Sequence, residues 1–400
     1  MVQLSLSMIV RDEADDLGRC LASLRGFVDE MVVVDTGSRD ATASIAAAAG
    51  ATVHHLPWPG DFAPARNRAL DWVQGDWVLV LDADERLRPQ AWEPLRRLMA
   101  EPNVLLINLL RIEEGASQSP YSSVSRLFRR HPAIRWSGAY HAMVDDSVAD
   151  LLAQEPRWRV AQCPEPALLH DGYRPEKLAD GRKARRLREA MEAELARRPD
   201  DPYACAKLAG LELSEGRSDR ALALLERGLA ACGAAAVAER YELLLHMGLA
   251  LAPREPQRAL ARYRQALALP LDPRLSLGAL LNLAALELRL GDLEAAARDG
   301  GEVTRIAPDL ALGWYNLGLI RRQRGELREA ITAYRAAIAR APDHAEAHQN
   351  LGAACLLAGD LEGARAAFRR AITLLREQGR PQDAAELARR AGSLVRLGEP

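Results

Sequence analysis

Apolar and polar residues alternate over Leu4–Val10 and then turn polar at Arg11-Asp12-Glu13, which predicts a strand running into a helix over 14–25. Met31–Val34 is a second apolar run, ended by Asp35-Thr36-Gly37-Ser38. Gly37 suits a tight turn there, and Ser38 or Asp40 can cap the helix that follows. Trp77–Leu81 is a third run and closes on Asp82-Ala83-Asp84-Glu85. Strands alternating with helices, with polar switches at the strands' carboxyl ends, predict an α/β domain with an open, mainly parallel sheet and helices on both faces.

The second half has a different rhythm. Asn282, Asn316 and Asn350 recur every 34 residues, each followed by Leu, and Gly291, Gly325, Gly359 and Ala296, Ala330, Ala364 keep the same step. A period of 34 is that of tetratricopeptide repeats, with two antiparallel helices per unit. The unit from Ala311 to Asp343 carries Trp314, Leu317, Gly318, Ala330, Tyr334, Ala337 and Pro342 at the repeat's positions. Weaker units begin near Pro202 and Arg240, making about five in all, closed by a capping helix around Gln382–Leu397. The predicted layout is an α/β domain over 1–175, a charged connecting helix over 176–201 and an all-α solenoid over 202–400. Such repeats hold a peptide or partner protein on their concave face, or build a rigid homodimer contact. Their own acids and histidines fall on ordinary helical surface positions and offer no chemistry.

Composition narrows the picture. Four hundred residues suit two domains, and 48% hydrophobic with 27% charged residues describes a folded globular chain. A net charge of −2 predicts no strong attraction to nucleic acid or to a membrane surface. The five cysteines are scattered with no CxxC, reading as reduced thiols in a cytoplasmic protein. No basic region precedes the first apolar stretch, and no uncharged segment is apolar enough to span a bilayer.

The chemistry concentrates at Asp82 and Asp84. Two carboxylates one residue apart at a strand's carboxyl end can hold a hard divalent cation that leaves positions open for phosphate oxygens and water. Arg86 and Arg88 interrupt the ligand spacing of a calcium loop, and Arg86 stands where a DxDxT phosphatase needs a small residue. A solvated strand end is the remaining bland alternative. The chain has no GxGxxG and no GxxxxGK[ST], so a nucleotide would have to be held by other means.

The segments LSMIVRDEADDLGRCLASL, DEMVVVDTGSRDAT, WPGDFAPARNRAL and GDWVLVLDADERL resemble, in order and spacing, the family-2 glycosyltransferases of GT-A fold. They look most like the subgroup followed by tetratricopeptide-like repeats, which includes protein and peptide glycosyltransferases such as the S-glycosyltransferases of bacteriocins. The resemblance covers roughly residues 3–175. It implies an inverting, metal-dependent transferase that uses a UDP-sugar, Mn²⁺ or Mg²⁺, and a peptide or protein acceptor.

By the same resemblance, Val10 and Arg11 match residues that pack on the uracil ring. Glu13 matches the acid of a conserved-type NE pair, in which Asp12 replaces the usual Asn. Asp35 matches the acceptor of the uracil imide hydrogen bond, and Arg66, accompanied by Asn67, matches a cation near the diphosphate. In the Asp82-Ala83-Asp84 motif, Asp82 would bind ribose and Asp84 the metal, with His170 of ALLHDGY completing the metal site. Arg126 of RLFRR matches a recurrent basic residue with a structural or acceptor-side role. Relatives usually have Glu after the stretch Ile134–His141, where this chain has Ala142. The resemblance therefore leaves His141, Asp145 or Asp146 as the catalytic base, or an acceptor that ionises easily. Two other readings stay open: a catalytically weak adaptor whose repeats recruit partners, and a transferase acting on surface-polysaccharide or lipid-linked sugars.

Overall fold

A computed structural model describes residues 3–116, 120–138, 142–172, 182–234 and 236–395. The chain divides into two compact units, Met1–Arg197 and Arg198–Pro400. No helix among the described residues is long and apolar enough to cross a membrane.

The first unit is built on an eight-stranded sheet. Its strands are β1 (Leu4–Val10), β2 (Glu30–Asp35), β3 (Thr52–His55), β4 (Trp77–Val80), β5 (Glu85–Leu87), β6 (Val104–Glu113), β7 (Tyr121–Arg129) and β8 (Arg159–His170). Their order is β3-β2-β1-β4-β7-β6-β8-β5. The first four run parallel, β7 is antiparallel to both β4 and β6, β8 returns parallel to β6, and β5 closes the edge antiparallel to β8.

Side-chain alternation sends each strand's apolar residues to two faces. Leu4, Leu6, Met8, Val10, Trp77, Leu79 and Leu81 join one buried cluster. It is covered by α1 (Ala14–Ala22), through Leu17 and Leu21, and by α4 (Trp92–Ala100), through Leu95 and Met99. Val32, Val34, Val78 and Val80 face the opposite way. There they meet Ala63 and Ala69 of α3 (Phe62–Ala69) and Val148 and Leu151 of α5 (Asp145–Gln154). A sheet covered on both faces requires such near-continuous apolar strands. The short α2 (Thr42–Ala48) begins where the Asp40 carboxylate accepts the Thr42 N–H at 2.9 Å.

Two features place the site. The strand order turns from β2-β1 to β4 at β1, and the carboxyl ends flanking such a reversal form a crevice. On β7, Leu127 pairs with Ile107 while Ser125 pairs with the next residue, Asn108, so Arg126 is the extra residue of a bulge. Bulges re-aim side chains at the edge of a site.

Within the same unit a helix α6 (Arg182–Arg197) follows the sheet. Among the described residues the second unit has five helix pairs and a final helix: α7–α8 (Pro202–Ser214, Ser218–Ala231), α9–α10 (Val237–Leu251, Pro256–Leu267), α11–α12 (Leu277–Leu290, Leu293–Ile306), α13–α14 (Ala311–Gln323, Leu327–Arg340), α15–α16 (Ala345–Leu357, Leu361–Glu377) and α17 (Pro381–Gly392). Paired helices approach closely where a small residue meets a large one. A Cβ on Gly318 would lie 2.5 Å from the buried ring of Tyr334, so only glycine permits that contact. Gly325 ends α13's turn at φ +79°, the left-handed conformation that closes a helix without a Cβ penalty.

Candidate active site

The carboxyl ends of β3, β2, β1 and β4 bring His55, Asp35, Arg11 and the Asp82–Asp84 turn to one edge, since Asp35 pairs in register with both Val10 and His55. Asp35 is buried, accepts the Ser38 N–H at 2.9 Å and its O–H at 2.6 Å, and has its other oxygen 3.3 Å from His55 Nδ1. Burial opposes its ionisation, but the Ser38 hydrogen bonds outweigh it and hold the carboxyl below its ordinary range. The loop after β1 is tied to this corner: the Asp12 N–H donates to Ser38 Oγ and the Glu13 N–H to Thr42 Oγ1. Val10 does not open onto the crevice. Its side chain is 3% exposed within the core cluster, while Arg11 is half exposed.

Asp82 is held by two cations. Oδ1 accepts from Arg66 Nη2 at 2.6 Å and Oδ2 from Arg126 Nη2 at 2.9 Å. Arg66 comes from α3, and Arg126 from the bulge on β7. Although burial alone would raise it, Arg126 and Arg66 hold the Asp82 carboxyl well below the usual carboxylate range. With 38% of its side chain exposed, it is also an acceptor within reach of solvent. Arg66 also lies over the Trp136 ring at 4.8 Å. Asn67 does not face the nucleotide edge with a free amide. Its Nδ2 donates to the Trp136 carbonyl at 3.0 Å and its Oδ1 accepts the Trp136 N–H at 2.8 Å, so it clamps the 134–138 segment onto α3.

Asp84 meets the late histidine. His170 Nε2 lies 3.5 Å from Asp84 Oδ2, and its Nδ1–H donates to Glu113 Oε2 at 2.5 Å. Burial disfavours the imidazolium, but Asp84 and Glu113 prevail and raise its pKa to about 9. Among the described residues no three His, Cys, Asp or Glu groups converge as a complete metal cage. A small divalent cation that also binds diphosphate needs only one or two protein ligands, and a carboxylate oxygen and an imidazole nitrogen at this separation suit it. The carboxylate on the far ring nitrogen is the usual support of a metal-binding histidine. The residues present therefore fit Mn²⁺ or Mg²⁺, which would take the place of the His170 proton.

Two of the three candidate bases lie within the described residues. Asp145 accepts from Ser125 Oγ at 2.7 Å, and Ser125 adjoins the bulged Arg126. Burial, helped by Asp146, raises the Asp145 carboxyl above its ordinary value. Asp146 accepts from the Ser137 hydroxyl at 2.8 Å in an exposed position. His141 lies outside the described residues. Ala142 is partly buried against the apolar cluster beneath α5, so that position supplies no acid.

Sequence reasoning passed over Glu85, Arg111 and Glu113. Glu85 is fully buried, accepts the Asp82 N–H at 2.9 Å and bonds Arg111 Nη1 at 2.5 Å; Arg111 Nε reaches Glu113 at 2.9 Å. The available signal was two charged residues, 111 and 113, sharing one face of an otherwise apolar strand.

Comparison with known proteins agrees with this architecture. Residues 5–150 match the profile of glycosyl transferase family 2, and residues 315–375 that of a tetratricopeptide repeat. A TPR repeat-containing protein of Synechococcus elongatus is 46% identical over 310 residues, 77% of this chain and 76% of that protein. An uncharacterized glycosyltransferase of Rickettsia felis is 29% identical, over 37% of this chain and 55% of its own length. The SPbeta prophage-derived glycosyltransferase SunS of Bacillus subtilis is 23% identical, over 50% of this chain and 46% of its own.

Proposed function

Because the chain belongs to the family-2 glycosyltransferases, here joined to tetratricopeptide repeats, we propose that it moves a sugar from a UDP-sugar to a peptide or protein held by the repeats, inverting the anomeric centre. The observation that carries this reading is the pair of anchored acids at one crevice edge: Asp82 clasped by Arg66 and Arg126, and Asp84 facing His170. Asp82, ionised and partly open, accepts hydrogen bonds from ribose hydroxyls. Asp35 has one oxygen engaged by Ser38, and the other, 3.3 Å from His55 Nδ1, is the one that would accept a uracil imide N–H. Arg66 and Arg126 contribute positive potential where the diphosphate gains charge as it leaves. A divalent cation on Asp84 and His170 would supply further neutralisation of that leaving group.

Asp145 is the base this reading favours. Its carboxyl is raised above its ordinary value, and through Ser125 it stands beside the Arg126 bulge. Calorimetry of UDP binding with and without Mn²⁺ tests the donor site. Equal affinity without metal, or full turnover by Asp84→Asn, overturns the assignment. Ala142 favours a second reading, in which the crevice binds a nucleotide sugar without transferring it and the repeats recruit partners. Incubation with a panel of UDP-sugars separates the two, because only a transferase releases UDP in the presence of acceptor.

A further inference from the structure

Asp82 and Asp84 are joined through the interior by a continuous series of groups of alternating charge. From Asp82 it passes to Arg126 at 2.9 Å and to Glu85 at 3.8 Å. Glu85 then meets Arg111 at 2.5 Å, Arg111 meets Glu113 at 2.9 Å, and Glu113 meets His170 at 2.5 Å before the ring reaches Asp84. The series follows the sheet, since Glu85 and Glu113 are the cross-strand partners of His170 on β5 and β6. A buried ion network is seldom more stable than the apolar packing that could replace it. Stability alone therefore does not account for these charges.

We propose that Glu113 and Arg111 are positioning residues for the cation-binding pair. Glu113 fixes the His170 ring with Nε2 toward Asp84. Arg111 holds Glu113 and Glu85 together, so one guanidinium braces both the cation end and the nucleotide end of the site. The assignment rests on the reading that Asp84 and His170 share a divalent cation. Two observations on the ring support it. Both Glu113 oxygens are committed, Oε2 to His170 and Oε1 to Arg111 and the Ser122 hydroxyl, so the carboxylate cannot swing. On another side Gly172 closes against the imidazole: a Cβ there would lie 2.4 Å from both Cε1 and Nε2. A ring held by hydrogen bond and by contact presents one nitrogen in one direction, which is what a metal-binding histidine requires of its support.

The test is calorimetry on the full chain, with MnCl₂ titrated in the presence of UDP, and UDP titrated separately in EDTA. Glu113→Gln should weaken Mn²⁺ binding by about 10–100-fold, and UDP affinity in EDTA should stay within about twofold of the unaltered chain. Arg111→Lys, which keeps the charge but loses the two-sided fork, should weaken Mn²⁺ less than Arg111→Met. If Glu113→Gln does not fold, Glu113→Asp, which withdraws the carboxylate by one methylene, carries the same expectation with a smaller loss. Unchanged Mn²⁺ affinity in the folded Glu113 variant overturns the proposal, as does a parallel loss of metal-free UDP binding, the mark of a purely structural role. Failure of the unaltered chain to bind Mn²⁺ removes the cation reading itself, and this assignment with it.

Discussion

Replacing Asp82 by Asn keeps the side chain's shape but turns one acceptor into a donor that faces a guanidinium. Arg66 and Arg126 are then left beside each other without their shared counter-charge, Arg126 keeping only Glu85 at 3.8 Å, and among the described residues the Nη1 atoms of both are buried with no hydrogen-bond partner. Water cannot easily compensate them. Breaking a buried ion pair costs about 3–5 kcal/mol and an exposed one about 0–1 kcal/mol. Asp82 is 38% exposed while Arg66 and Arg126 are 8% and 14% exposed, so a loss of about 2–3 kcal/mol lies between these limits. Urea denaturation followed by tryptophan fluorescence isolates the effect. Six of the seven tryptophans (Trp58, Trp72, Trp77, Trp92, Trp136, Trp158) lie in the first unit and only Trp314 in the second. Adding Arg126→Met to Asp82→Asn should recover about 1 kcal/mol or more, because one of the two cations facing each other is gone. An unchanged midpoint for Asp82→Asn, or strictly additive losses in the double variant, would refute the claim that Asp82 serves as the counter-charge of both arginines.

Three further outcomes follow from particular contacts. Asn67→Ala removes both hydrogen bonds to the Trp136 backbone and should destabilise the first unit by about 1–3 kcal/mol; kcat should fall more than UDP affinity, and equal losses would argue for direct donor contact. Gly318→Ala drives a methyl into the Tyr334 ring, and overpacking of this kind costs about 1–3 kcal/mol, seen as a lower melting temperature by far-UV circular dichroism. Burial and the neighbouring Asp299 raise Glu287 from 4.5 to about 7 in the folded second unit, so the native state keeps this proton where the unfolded chain has lost it. Its contribution to stability is therefore greatest below pH 4.5 and falls as pH rises to about 7; Glu287→Gln should flatten that part of the melting profile.

Much of the candidate site was legible because its acids sit where local pattern changes. Asp35, Asp82 and Asp84 each end an apolar run, and a polar residue at the carboxyl end of a buried parallel strand has little to do except face the crevice. Arg66 lacked that local signal and came through the family resemblance; the structure puts it on Asp82. Asn67 and Val10, implied by the same resemblance to contact the donor, turn instead to Trp136 and to the core. One is a half-buried amide whose hydrogen bonds are met by backbone, and the other an apolar side chain on the inward parity of β1.

Periodicity was enough for β1, β2, β4 and the repeat array, but not for the mixed half of the sheet formed by β5–β8. A two-residue alternation can bury only one set of side chains per sheet face, and a 34-residue recurrence of small and large residues can pack only as stacked helix pairs. Which charges meet is another matter. Arg126 reaches an acid 44 residues earlier, and Glu113 a histidine 57 residues later. Those meetings depend on strand order, on cross-strand register and on one bulged residue in β7. Because pairing energy between strands is spread over the whole ladder, no short window of residues encodes it, and only the folded sheet selects these partners.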